Sequence, residues 1–214
     1  MEFFKNFSLS KSITEISKNP TSLFALIGVL ILIILLLRIK KVKFSTKLIA
    51  QIGLAVALTT VLSLFKIYKL PQGGSVTIGS MLPIIIMALF YGPEVGFLTG
   101  FLYSIISLII DPQMYYPVQV LFDYPLAFMA LGLAGYFKNN KYLGTVIAIL
   151  VRFIFHYISG VVFFAEYAPA GQSVYIYSLL YNGSFLGVDA IICLVILTVL
   201  PLKQLYTITK QSNY

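Results

Sequence analysis

Apolar residues run through this chain in long unbroken stretches, and polar residues gather in short clusters between them. Seven stretches stand out: Leu23 to Leu37, Leu48 to Phe65, Thr77 to Tyr91, Val95 to Ile110, Val118 to Phe137, Leu143 to Phe164 and Tyr175 to Leu202. They are too long for barrel strands and show no alternation, so each predicts a helix at membrane depth. The first reaches the lower limit of about 17 residues for a span once Thr21 and Ser22 are added. It lacks a small-residue cleavage site and reads as a retained signal anchor. Turn signals separate the stretches: Pro71-Gln72-Gly73-Gly74, Gly92-Pro93, Asp111-Pro112 and Pro169-Ala170-Gly171. The links at Gly92-Pro93 and Lys138 to Tyr142 are short, so the helices they join are antiparallel neighbours.

Composition agrees. The 214 residues are 59% hydrophobic and only 10% charged, against about 25% charged in soluble domains. The chain therefore reads as an all-α integral membrane protein whose surroundings are the lipid bilayer. The net charge of +8 does not signal nucleic acid, because the lysines sit at the ends of apolar stretches, where membrane topology places them. Arg38, Lys40, Lys41, Lys43, Lys47, Lys138, Lys141, Lys203 and Lys210 fall on one side. Lys66 and Lys69, with the tail residues Lys5, Lys11 and Lys18, fall on the other. The first side is cytoplasmic by the positive-inside rule, which puts the amino terminus outside and the carboxyl terminus inside. The loops Lys66 to Val76, Asp111 to Pro117 and Tyr167 to Ser173 then face outward.

Depth sorts the few polar residues within the stretches. At about 1.5 Å of rise per residue, Asp123, His156 and Asn182 share one level in the outer part of the bilayer. Tyr124, Phe164 and Tyr177 reach the same zone. Two readings stand for His156, the chain's only histidine: a hydrogen bond inside a helix seam, or a ligand contact. Asp123 needs a partner in an apolar helix, and a cationic ligand supplies one. Arg152 and Asp189 share a deeper level. A lone charge there costs several kcal/mol, so these two are expected to pair as a buried ion bridge. The competing reading, a proton relay, lacks further titratable groups. Small residues Ala50, Gly53 and Ala57 line one face of the second helix and suit close helix packing, inside the protein or onto a membrane partner. Glu166 and Gln172 lie near the outer rim, and the many tyrosines suit an interfacial belt.

Other chemistries find no residues. There is no phosphate-binding G-x-x-x-x-G-K-[ST] loop, no H-E-x-x-H and no Cys/His cluster. No serine sits in an elbow motif, and inverted repeats do not show. No catalytic residue, metal or cofactor is expected. The single cysteine, Cys193, excludes an internal disulfide.

Several segments, in order, carry a resemblance. Leu70-Pro71-Gln72-Gly73-Gly74-Ser75-Val76-Thr77-Ile78-Gly79-Ser80-Met81-Leu82-Pro83, Pro117 to Ala127, Gly132-Leu133-Ala134-Gly135, His156 to Gly160, Tyr177 to Gly183 and the closing Ser212-Asn213-Tyr214 resemble the ThiT family. These are the thiamine-specific substrate-binding (S) components of energy-coupling factor transporters. The resemblance runs from about Thr46 to the end. It implies a six-helix core, residues 45–214, preceded by a tail and an additional membrane helix within residues 1–44. It implies thiamine bound near the outer face, no ATPase in this chain, and partners: a membrane coupling protein and two ABC-type ATPases. The family's site residues fall on Asp123, Tyr124, His156, Tyr177 and Asn182. Its coupling-protein stripe falls on Gly53 and Ala57. Phe164 falls where a stacking tryptophan is expected, and aspartate stands where some relatives carry glutamate.

The leading expectation is a thiamine-capturing S component, with Pro71, Gln72, Gly73 and Gly74 closing as a lid. Three alternatives stay open: a binder of a thiamine precursor (hydroxymethylpyrimidine or a thiazole), an intramembrane enzyme using His156 and Asp123 as acid and base, and a stand-alone carrier.

Overall fold

The computed structural model describes residues 20–211. Lys5, Lys11, Lys18 and Ser212-Asn213-Tyr214 lie outside the described residues. Helices α1 (Pro20–Ile39) and α2 (Thr46–Leu64) come first. Strands β1 (Lys66–Lys69) and β2 (Ser75–Thr77) follow, then α3 (Leu82–Tyr91), α4 (Pro93–Ile110), α5 (Pro117–Phe137), α6 (Lys141–Phe163), α7 (Val174–Val199) and α8 (Leu202–Gln211). Among the described residues six helices are long and apolar enough to cross a membrane, and α3 is a seventh apolar helix of 10 residues. The protein is an all-α multi-pass membrane protein.

Local chemistry sets the ends. The Ser45 hydroxyl accepts from Leu48 N, and the Asn140 side chain accepts from Leu143 N, so both caps satisfy a backbone donor that the helix leaves free. Gly92 ends α3 and Pro93 opens α4, a proline at a helix start costing no hydrogen bond. One boundary differs from the sequence reading. The third apolar stretch is not helical from Thr77. Its first residues close an antiparallel hairpin, with Lys66 opposite Thr77 and Lys69 opposite Ser75, and the helix starts only at Leu82. Hydropathy is blind to this change, because Val76, Ile78 and Met81 are apolar in strand and turn alike.

Helix α5 changes its winding three times. Residues Pro117–Leu121 are α-helical, Phe122–Leu126 widen to a π turn around Pro125, and Ala130–Phe137 tighten to a 3-10 helix. Proline offers no amide and disturbs the preceding turn, which favours such a widening. π turns recur at functional sites, and this one carries Asp123 and Tyr124.

Burial fixes the layout. Ile84, Ile85 and Ala88 of α3 and Leu126, Met129, Leu131 and Ala134 of α5 have essentially no exposure. The second half of α5 is therefore the bundle's centre, in contact with α3, α4 and α6. Helices α6 and α7 pack on each other, and α2 packs on α3 and α4. The additional helix α1 lies against α4 and the first half of α5, with the rest of its apolar surface open. In lipid that exposure costs nothing, since the acyl chains are as apolar as the side chains.

Candidate functional site

A cavity of about 160 Å³ lies between the hairpin loop, the π turn of α5, and the segments of α6 and α7 around His156 and Asn182. Asp123, Tyr124, His156, Phe164, Tyr177 and Asn182 all line it, with Gln72, Gly73 and Gly74 of the loop. Pro71 is exposed and does not.

At the centre, His156 Nδ1 lies 3.1 Å from Asp123 Oδ1. The other carboxylate oxygen, Asp123 Oδ2, accepts from Gln119 Nε2 at 2.6 Å. Gln119 is 1% exposed. It also donates to the Gln113 carbonyl at 3.0 Å and accepts from Tyr115 N at 3.1 Å, so it fixes the carboxylate to the loop above. The Tyr124 hydroxyl accepts from Gln113 N at 2.7 Å and donates to the Asp111 carbonyl at 3.0 Å, which binds the same loop a second time. Asn182 Nδ2 donates to the His156 carbonyl at 3.2 Å and to the Ser178 carbonyl at 3.0 Å. It ties α7 to α6 beside the imidazole. Gly160 permits that approach, since a Cβ there would meet Ser178 Oγ and Asn182 Nδ2.

Rings enclose these polar groups. Phe185 stands edge-on to the His156 ring with centroids 6.0 Å apart, and Tyr181 bridges Phe185 and Tyr177. Phe164 meets Tyr115 edge-to-face at 5.3 Å. Two buried atoms of this wall, His156 Nε2 and Ser159 Oγ, have no protein hydrogen-bond partner. A buried polar atom left alone costs about 1–3 kcal/mol, so both mark positions where a polar ligand gains most. Together the pieces offer one carboxylate, one imidazole and several π faces. That combination suits a flat cation carrying hydrogen-bonding groups.

The loop closes over this chamber. Gly74 N donates to the Tyr181 hydroxyl at 3.2 Å. Gly73 adopts φ 95, a conformation that favours glycine. At the rim, Lys66 and Lys69 both contact the Asp111 carboxylate. The Lys66 hydrogen bond holds the Asp111 carboxyl below its usual range.

The expected Arg152–Asp189 bridge is not formed. Both side chains are buried and line the lower cavity, but their partners differ. Asp189 Oδ1 accepts from Thr77 N at 2.8 Å and lies 3.1 Å from Thr77 Oγ1. Arg152 lies over the Phe128 ring, 4.1 Å from its centroid, with Nε and Nη1 unpartnered. The hairpin takes the carboxylate: Thr77, at the end of β2, supplies both a backbone amide and a hydroxyl to it. Gly53 and Ala57 lie away from the cavity on an exposed face of α2, with open space above Gly53. Helix periodicity and depth could not reveal Gln119, Tyr181, Phe185 or the Lys66–Asp111 contact. Only Gln119 left a trace, one helical turn before Asp123.

The fold and this chamber define a helical membrane protein with a polar, ring-lined cavity toward one end of the bundle. The model for the family described as thiamine transporter protein (Thia_YuaJ) matches residues 49–209. The thiamine transporter ThiT of Bacillus subtilis is 37% identical over 149 residues, covering 62% of this chain and 77% of that one. ThiT of Lacticaseibacillus paracasei is 28% identical over 140 residues, covering 56% and 70%. The solved structure of ThiT from Listeria monocytogenes superposes with a TM-score of 0.66 at 21% identity, over 73% of this chain and 93% of that one. This chain belongs to the thiamine transporter protein family.

Proposed function

We propose that this chain captures thiamine at the outer membrane surface, as the S component of an energy-coupling factor importer. The observation that carries the reading is the Asp123–His156 pair inside a ring-lined cavity, in a chain whose relatives are named thiamine transporters. Thiamine combines a permanently charged thiazolium with an aminopyrimidine. Asp123 offsets the cation, His156 and Asn182 meet polar edges, and Phe164, Tyr177, Tyr181 and Phe185 supply π faces worth roughly 0.5–2 kcal/mol each toward a cation. Tyr124 holds the π turn and its loop in place. The Gln72-Gly73-Gly74 segment serves as lid.

Orientation follows from the basic residues. Lys41 and Lys43 share a hollow with Tyr91 and Glu94, Lys138 Nζ approaches Gly92, and Lys141 donates to the Leu197 carbonyl. These lie at the end opposite the cavity and read as cytoplasmic, with the amino terminus outside and the carboxyl terminus inside. The exposed Gly53 and Ala57 face suits close approach of another membrane helix. It is assigned to the coupling protein, with two ABC-type ATPases providing the energy. Residues 45–214 form the binding unit in this reading.

Calorimetry of the purified chain with thiamine tests the proposal. Submicromolar binding, lost in Asp123→Ala, is expected. Tighter binding of hydroxymethylpyrimidine or a thiazole than of thiamine would replace the vitamin by a precursor. Chemical change of the recovered ligand would replace the binder by an enzyme.

A further inference from the structure

Helix α1 is the one long helix outside the binding unit, yet it lies directly behind the site. Its single fully buried position in the apolar stretch is Gly28. A Cβ at Gly28 would sit 2.8 Å from Phe122 Cε2 and 2.9 Å from Leu121 Cδ2. Contacts under 3.0 Å are not tolerated in close-packed interiors, so a side chain at 28 must displace its neighbours. Phe122 is 2% exposed and cannot swing away into solvent. Its ring stands edge-to-face on Phe155, centroids 5.9 Å apart. Phe122 directly precedes Asp123, and Phe155 directly precedes His156.

We propose that Gly28 is a positioning residue for the site: α1 seats the Phe122–Phe155 ring pair, and that pair holds the Asp123–His156 pair in register. The chain of contact is continuous, from Gly28 to Phe122, across to Phe155, and one residue along each backbone to the carboxylate and the imidazole. The π turn makes this support matter. Its winding departs from the regular α-helix where Asp123 sits, so packing from α1 adds to the Gln119 hydrogen bond in setting where the carboxylate points. The additional helix thus belongs to the binding apparatus as well as to the membrane anchor.

The inference rests on the thiamine reading for its affinity arm only. Its second arm needs no ligand, because the chain has one histidine and its imidazole gives one assignable NMR signal. The test compares full-length Gly28→Leu, the milder Gly28→Ala, the ring deletion Phe122→Ala, and a lipid-side control, Leu30→Phe. Leu30 is 50% exposed on the same helix. Gly28→Leu is expected to move the His156 resonances in ligand-free protein, and to weaken thiamine binding about 10-fold or more. Gly28→Ala shifts both in the same direction by less and covers the case in which the leucine variant does not fold. Deleting the ring in Phe122→Ala also moves the resonances, and Leu30→Phe changes neither. Unmoved His156 signals in both Gly28 variants overturn the proposal, as do unmoved signals in Phe122→Ala. Wild-type protein that ignores thiamine while the His156 signals respond as expected overturns the function and leaves the positioning role standing.

Discussion

His156 Nδ1 and Asp123 Oδ1 lie 3.1 Å apart across the interface of α6 and the π turn of α5. The side chains are 13% and 16% exposed, respectively. One carboxylate oxygen thus meets the imidazole, while the other is held more closely, at 2.6 Å, by Gln119.

Removing the charge without changing the shape isolates its share. Asp123→Asn is expected to weaken thiamine binding roughly 10- to 100-fold, since a hydrogen bond to a charged group is worth about 1.5–3 kcal/mol. Calorimetry on both proteins measures it. An affinity unchanged within twofold would remove the carboxylate from the binding account.

Gln119 acts through Asp123. Gln119→Leu keeps the bulk and removes both ends of the bridge between the carboxylate and the 113–115 loop. Thiamine affinity is expected to fall roughly 10-fold. The fall should be much smaller when Asp123 is already asparagine, because neighbours in one network are not additive. A double-mutant cycle decides, and strict additivity would show that Gln119 works elsewhere.

The Gln72-Gly73-Gly74 loop is held from α7. Tyr181→Phe deletes the acceptor for Gly74 N and leaves the ring stack. Net hydrogen-bond values of about 0.5–1.5 kcal/mol predict a thiamine off-rate faster by roughly 2- to 10-fold, with little change in on-rate. Stopped-flow release into excess unlabelled vitamin reads the off-rate directly.

Acid should loosen the rim. The Asp111 carboxyl is lowered from 3.8, chiefly by its hydrogen bond from Lys66. A depressed folded value means that the contact stabilises the fold above the ordinary carboxylate pKa, and that this share is lost as pH falls through the folded value. Thermal stability is therefore expected to be flat with pH around neutrality, where the Asp111 contact contributes fully, and to drop below about pH 4. Asp111→Asn should flatten that part of the profile. A wild-type acid limb persisting unchanged in the variant would sink this assignment.

Much of the fold was legible because hydrophobic length is a strong signal in lipid. Stretches such as Val95 to Ile110 and Leu143 to Phe164 match α4 and α6 to within two residues. The hairpin around Pro71 to Gly74 was visible only as a turn, since β1 and β2 are too short to impose alternation on the sequence. The change of winding in α5 was invisible, because π, α and 3-10 turns share one hydropathy. In the site, depth alone put Asp123, His156 and Asn182 on one level, which is where they meet. The Arg152–Asp189 bridge failed for the opposite reason. Equal depth says nothing about azimuth or about competing partners, and Thr77 arrives from the start of a stretch that reads as helix but folds as a hairpin.

The tight winding at Ala130–Phe137 has a consequence for traffic. There the backbones of α4 and α5 touch at Gly96 and Gly132, and Gly135 rests on the Gly92-Pro93 link. Not even a methyl group fits between them, so this seam gives cargo no passage toward the basic end of the bundle. Under the proposed function, cargo that enters past the Gln72-Gly73-Gly74 loop is expected to leave past it too, with the molecule turning as a body. A covalent staple across the Gly96–Gly132 seam should leave uptake intact, whereas one that fastens Gly74 to α7 should stop it.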